Sequence, residues 1–272
     1  MTSRRFLAAA IQLSAGSDKA ANLDKAEAFV RDAAKRGAQL VVLPEVFAWR
    51  GPREHEAEIA ESIPGPITDR MARLTRELRI HLIAGSVLER AAGVDKPFNT
   101  SCMFDPRGEL IARYRKVHLF DVDIAGHVTV RESDTRQSGS DVVSVDTDVG
   151  RIGLSVCYDL RFPELYRRLA SAGAQIISIP SAFTFPTGAA HWEILVRARA
   201  IENQVYVIAP DQIGRSPSGV NDFGNSLIVD PWGKPLARAA DRESVIVAEI
   251  DFDYLDRVRR ELPSLAHVKL SC

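Results

Sequence analysis

Gly150-Arg151-Ile152-Gly153-Leu154-Ser155-Val156-Cys157-Tyr158-Asp159-Leu160-Arg161-Phe162-Pro163-Glu164 runs from an apolar stretch into a thiol and then at once into a polar segment. The alternation over 151–156 predicts a buried strand closing on Cys157, a helix follows over 164–172, and 176–180 returns as a second apolar strand. A nucleophile at the last position of such a strand is held rigidly yet faces the cleft at the sheet edge. Amides of the next turn can there meet a developing oxyanion.

Outward from this unit the same alternation continues. A strand over 6–13 precedes a helix over 21–35, in which Leu23, Ala26, Val30, Ala33 and Ala34 form one apolar face. Gly37 is a stop signal, and 40–43 reads as a buried strand. After Pro64-Gly65-Pro66, a helix carrying Met71, Leu74 and Leu78 leads to a strand over 81–84. Strands over 99–104 and 109–114 flank Asp105-Pro106-Arg107-Gly108, which has turn chemistry with proline second and glycine fourth. Beyond the opening unit come a helix over 190–202 and strands over 206–209, 225–229, 235–239 and 245–249, with Pro231-Trp232-Gly233 as a turn. The class is α/β, with mixed sheets covered by helices. The pattern alone leaves open whether this is one three-layer sandwich or two stacked sheets.

The 272 residues, 46% of them apolar, suffice for one large core, and no linker, repeat or low-complexity block divides them. We therefore read residues 1–272 as a single domain. With 35 basic and 36 acidic residues and no basic run, the chain has no electrostatic footprint for nucleic acid or an acidic membrane. A small-molecule substrate is the expected partner. The segment Phe6-Leu7-Ala8-Ala9-Ala10-Ile11 meets Gln12 without a cleavage site and reads as the first core strand. No run approaches the roughly 18 to 20 apolar residues that span a bilayer. Cys102, Cys157 and Cys272 form neither a CxxC pair nor a disulfide framework, which fits a reducing cytoplasm.

A lone cysteine at a strand end is ordinarily a small buried hydrophobe. Two further segments change that balance. Leu40-Val41-Val42-Leu43-Pro44-Glu45 closes an apolar strand on a carboxylate, and Tyr114-Arg115-Lys116-Val117-His118 ends another on an ammonium. Singly, Glu45 and Lys116 read as solvated charges; with Cys157 they supply a base, a cation and a nucleophile. A thiol with an ordinary pKa of about 8.5 needs such help near neutrality. Tyr158 offers an oxyanion amide, Arg161 a carboxylate clamp or a structural ion pair with Asp159 or Glu164, and Phe183 and Thr187 a pocket lining within 181–188. The scattered histidines have no ligand spacing, so no metal is expected, and no nucleotide motif or other cofactor signature is present. His118, two residues from Lys116, could form a Cys-His dyad, yet nothing in the spacing fixes it beside Cys157, and His191 reads as a local cap or hydrogen-bonding group. Asn99-Thr100-Ser101 reads as a chance glycosylation sequon inside a strand.

Leu43-Pro44-Glu45, Arg115-Lys116-Val117-His118-Leu119 and Val156-Cys157-Tyr158-Asp159-Leu160-Arg161-Phe162-Pro163-Glu164 resemble the Glu, Lys and Cys motifs of the nitrilase superfamily, the carbon-nitrogen hydrolases. The resemblance covers about residues 4–265 and extends to the Nit branch through 187–193, 197–204 and 230–233. It implies a four-layer α-β-β-α sandwich of two mixed sheets covered by helices, and a homodimer or higher homo-oligomer. It also implies catalysis by Glu45, Lys116 and Cys157, with Glu132 as an additional active-site carboxylate that orients Lys116 and a water. Cys157-Tyr158-Asp159 in place of the Cys-Trp-Glu of true nitrile hydrolases favours amides. Within the branch, 212–215, 223–226 and the closing 253–260 lean toward deaminated glutathione as substrate. The alternatives are an omega-amidase acting on 2-oxo dicarboxylic acid monoamides, an N-carbamoyl amino acid hydrolase or a nitrilase. From other classes stand a thiol acyltransferase and a non-catalytic dimeric scaffold.

Overall fold

The computed structural model describes residues 4–126 and 128–270. Two mixed sheets form its centre. In the first, the order is β17 (Ser244–Asp251), β1 (Arg5–Gln12), β2 (Ala38–Val42), β3 (His81–Ile83), β5 (Phe98–Phe104) and β4 (Val87–Glu89), with β6 (Leu110–Arg115) also paired to β5. In the second it is β16 (Pro235–Arg238), β15 (Leu227–Val229), β12 (Tyr206–Ala209), β11 (Ile176–Ser178), β10 (Gly150–Leu154) and β9 (Ser144–Thr147). Within each, three consecutive strands are parallel, β1-β2-β3 and β10-β11-β12, and antiparallel strands complete the edges.

Burial on both faces explains why β1 reads as an apolar run rather than an alternation. Ala8 and Ala10 pack with Leu40 and Val42 toward Ile152, Leu154 and Ile176 of the second sheet. Ala9 and Ile11 turn the other way, onto Leu23, Ala26 and Val30 of α1 (Lys19–Lys35) and Met71 of α3 (Pro66–Leu78). The second sheet is covered by α4 (Pro163–Ser171) and α5 (Phe185–Asn203), through Leu165, Leu169, Trp192 and Val196. The result is the four-layer α-β-β-α sandwich. The short α2 (Glu56–Ile59) and the C-terminal α6 (Phe252–Glu261) complete the helices among the described residues.

Local chemistry sets most boundaries. Asp18 caps α1 by accepting from Ala21 N at 3.0 Å, so that helix begins two residues before the expected 21. Gly37 closes it at φ +87 with a bond to Ala34 O. Asp105–Gly108 forms the expected turn, Gly108 N donating to Asp105 O at 2.9 Å. Helix α5 starts at Phe185, five residues before the expected 190, because Pro186 suits a first turn and Thr184 precedes it in extended conformation. Two hairpins not anticipated from the sequence, β7 (Asp121–Ile124) with β8 (Val128–Arg131) and β13 (Ile213–Arg215) with β14 (Asn221–Phe223), lie outside the sheets.

The strand expected over 151–156 ends at Leu154, and Cys157 opens a 3₁₀ turn, Cys157–Arg161. The nucleophile candidate therefore sits on an elbow at φ +48, a left-handed conformation uncommon for a side chain larger than glycine. Pro180 O fixes this elbow by accepting from Cys157 N at 2.9 Å.

Candidate active site

Glu45, Lys116, Glu132 and Cys157 line one cavity at the edge where β2 and β10 end. Glu45 follows β2 in a loop shaped by Val46 at φ +46, whose amide donates to Ser86 Oγ at 2.9 Å. Lys116 directly follows β6 and is pinned by its amide donating to Asn99 O at 2.8 Å. All four side chains are buried.

Buried charges demand partners. Lys116 Nζ donates to Glu45 Oε1 at 2.9 Å and to Glu132 Oε2 at 2.8 Å. Glu45 also accepts from Asn99 Nδ2 at 2.7 Å and, through Oε2, from Ala182 N at 2.9 Å. Glu132 accepts from Phe120 N at 2.7 Å and pairs with Arg136, whose guanidinium reaches on to Glu56 at 2.7 Å and 3.0 Å. Burial works against the Lys116 charge, yet Glu132 and Glu45 hold its pKa above the usual lysine range. Burial likewise opposes the Glu132 carboxylate, and Lys116 and Arg136 outweigh it, driving that pKa far below the usual carboxylate range.

The sulfur behaves differently. Burial and then the charge of Glu45 push the Cys157 pKa well above a free thiol, while Lys116 and the Ala182 amide pull it down without prevailing. The cation expected to favour a thiolate is committed to two carboxylates. The thiol lies beside a carboxylate that can take its proton during attack.

Asp159 holds together the two loops that carry Cys157 and Lys116. Its Oδ2 accepts from Val156 N at 2.8 Å and Tyr114 OH at 2.7 Å, and its Oδ1 from His118 N at 3.1 Å, with His118 Nδ1 at 2.7 Å. Tyr114 and His118 flank Lys116, so one fully buried side chain joins the cysteine elbow to the lysine loop. His118 stacks on Phe162 at 3.7 Å between ring centres. Its ring nitrogen is engaged by Asp159, and it makes no dyad with Cys157 among the described residues.

Two lobes meet at Cys157. One is apolar and lined by Tyr158, Phe183 and Thr187; the other is polar and holds Glu45, Lys116 and Glu132. Tyr158 packs edge-on against Phe120, Phe183 against Trp192, and Thr187 Oγ1 lies 2.8 Å from Thr184 Oγ1. Arg161 lies behind the apolar lobe, its guanidinium 5.1 Å from the Phe183 ring centre and 3.3 Å from His191 Nδ1. The structural ion pair weighed for it with Asp159 or Glu164 is not formed among the described residues, because Asp159 is filled by its own donors. Sequence reading missed Asn99, Arg136 and Glu56. Asn99 had been discounted as a chance sequon; Arg136 had a weak signal, standing four residues after Glu132.

Residues 7–260 match the carbon-nitrogen hydrolase family, and the chain belongs to it. Fold and sequence together make it an amidase of the nitrilase superfamily. Human omega-amidase NIT2 is 41% identical over 263 residues, covering 97% of this chain and 94% of that protein. Saccharomyces cerevisiae Nit3, a member of branch 10 of the superfamily, superposes with a TM-score of 0.87 at 35% identity, covering 95% of this chain and 94% of its own. The C. elegans NitFhit protein superposes at 0.92 with 37% identity; the match covers 99% of this chain and 66% of that longer one.

Proposed function

We propose that the protein hydrolyses monoamides of 2-oxo dicarboxylic acids to carboxylate and ammonia through a thioester on Cys157. The observation that carries the chemistry is the convergence of the Cys157 thiol with the Glu45–Lys116 pair, 2.9 Å apart, in one buried cavity. The omega-amidase name of the human relative, at 41% identity, supports this substrate over the deaminated-glutathione type toward which the sequence leaned.

Cys157 Sγ attacks the amide carbon as its proton passes to Glu45, and the carbonyl oxygen becomes an oxyanion facing Lys116 and the Tyr158 amide. The C–N bond then breaks while Glu45 returns the proton to nitrogen, so ammonia leaves and an acyl thioester remains. Water gives a proton to Glu45 and adds to the thioester. The C–S bond breaks, the acid departs, and the proton on Glu45 restores the thiol. Glu132 keeps Lys116 charged and oriented. The acyl arm extends from Cys157 within the cavity that the two lobes form.

We also place the enzyme in the cytoplasm, where the unpaired Cys102 and Cys157 stay reduced. No helix among the described residues is long and apolar enough to cross a membrane. We further assign a homodimer to the outer face of α5. Ile194 is 69% exposed, Ile201 49% and Trp232 59%, an apolar patch of the kind that marks an interface.

Ammonia release from 2-oxoglutaramate, deaminated glutathione, a simple aliphatic amide, a nitrile and a carbamoyl amino acid tests the substrate assignment. The expected order puts 2-oxoglutaramate first; turnover confined to the carbamoyl compound overturns it. Added hydroxylamine separates a hydrolase from an acyltransferase, which would pass its acyl group to the amine faster than to water.

A further inference from the structure

Every carboxylate in the polar lobe is already engaged. Glu45 is taken by Lys116, Asn99 and Ala182, Glu132 by Lys116, Arg136 and Phe120, and Glu56 by Arg136 and Thr135. Arg50 in the same wall is paired with Asp222 at 2.7 Å. One cation is left over. Arg53 lines this lobe with Cys157, and its Nη1 is buried without a hydrogen-bond partner among the described residues. Burial and the nearby Arg136 charge lower its pKa, although Glu56 and Glu132 act the other way, and its buried N–H is left to be satisfied by a ligand. The turn that presents it is packed tightly, since a Cβ at Gly51 would fall 2.2 Å from Trp49 Cζ2.

We infer that Arg53 is a specificity-determining residue that binds a carboxylate of the substrate on the Glu45 side of Cys157. A planar guanidinium with a free, desolvated N–H is suited to a carboxylate oxygen, and a charge-assisted bond there removes the buried vacancy. The inference rests on the amidase reading above. The carboxylate can come from the acyl arm or from the amine that departs beside Glu45, and both carry the same recognition chemistry.

The test compares 2-oxoglutaramate, whose carboxylate is on the acyl arm, N-butyrylglycine, whose carboxylate is on the amine, and neutral butyramide. In Arg53→Gln, the ratio of kcat/KM for an anionic amide to that for butyramide should fall about 10- to 100-fold, mainly through KM. Arg53→Lys should recover part of the loss. Which anionic amide suffers identifies the source, and ratios unchanged for both overturn the inference while leaving the amidase standing. Titration calorimetry with 2-oxoglutarate gives a readout independent of turnover, with weaker binding expected in Arg53→Gln. Equal affinity in wild type and variant, or no binding by either, overturns the assignment. Loss of binding in a protein that cleaves none of the amides would instead retain Arg53 as an anion site and overturn the amidase reading.

Discussion

Cys157, the proposed nucleophile, sits on a left-handed backbone, and the two features can be separated by substitution. Cys157→Ala keeps the elbow and should lower ammonia release by about 10⁴-fold or more, with the melting transition retained. Glu132→Gln removes a charge from Lys116 while keeping the size of the side chain. It should cut kcat by about 10²-fold, since the misplaced cation no longer faces the oxyanion. A second buried acid makes its prediction through pH. Burial raises the Asp222 pKa to about 6, despite its pairing with Arg50. The folded state thus binds a proton more tightly than the unfolded chain, whose carboxyl titrates near 3.9. Stability from this group is full in acid and is lost as pH rises from about 4 through about 6. Denaturant midpoints across that window should decline in wild type, and Asp222→Asn should remove that component; an unchanged decline would reject the account. At this scale the sequence exposed the residues with reactive side chains. It could not expose Asn99 or Asp159, whose meaning lies in partners 54 and 45 positions away.

Elements place these residues, and their turns are where legibility ran out. Strand interiors such as β12 were read to the residue, because a buried apolar run has few alternatives. The hairpin β7–β8, with half its residues exposed, offers no such run and was missed. Cys157 was placed at a strand end because Ser155 and Val156 continue the apolar pattern. A bond from Cys157 N to Pro180 O instead bends the chain there. The Glu45 loop depends on a comparable close approach. Gly85, at φ +37, lies under it so closely that a Cβ would sit 1.9 Å from Pro44 O. Gly85→Ala should destabilise the fold by about 1–3 kcal/mol through overpacking, and should impair kcat as well, because the displaced backbone leads into Glu45. Chemical denaturation beside steady-state kinetics checks both. A variant with full stability and full activity would show that the loop has other room.

Across the whole molecule, the alternation of strands and helices was enough to establish an α/β class. The choice between one sheet and two was not legible locally, since it depends on which face of β1 meets which layer. The apolar patch of α5 leads to an expectation at this scale too. Ile194→Glu should shift the protein from dimer to monomer in light-scattering chromatography, and a wild type already monomeric would sink the proposed interface. The division of labour between the sheets has one more outcome. The acid and the ammonium extend from one layer, the sulfur from the other, and Asp159 is the rivet between them. A chain emerging half-made, or one sheet loosened by heat, therefore holds its sulfhydryl apart from the acid and the ammonium with which it shares the cavity.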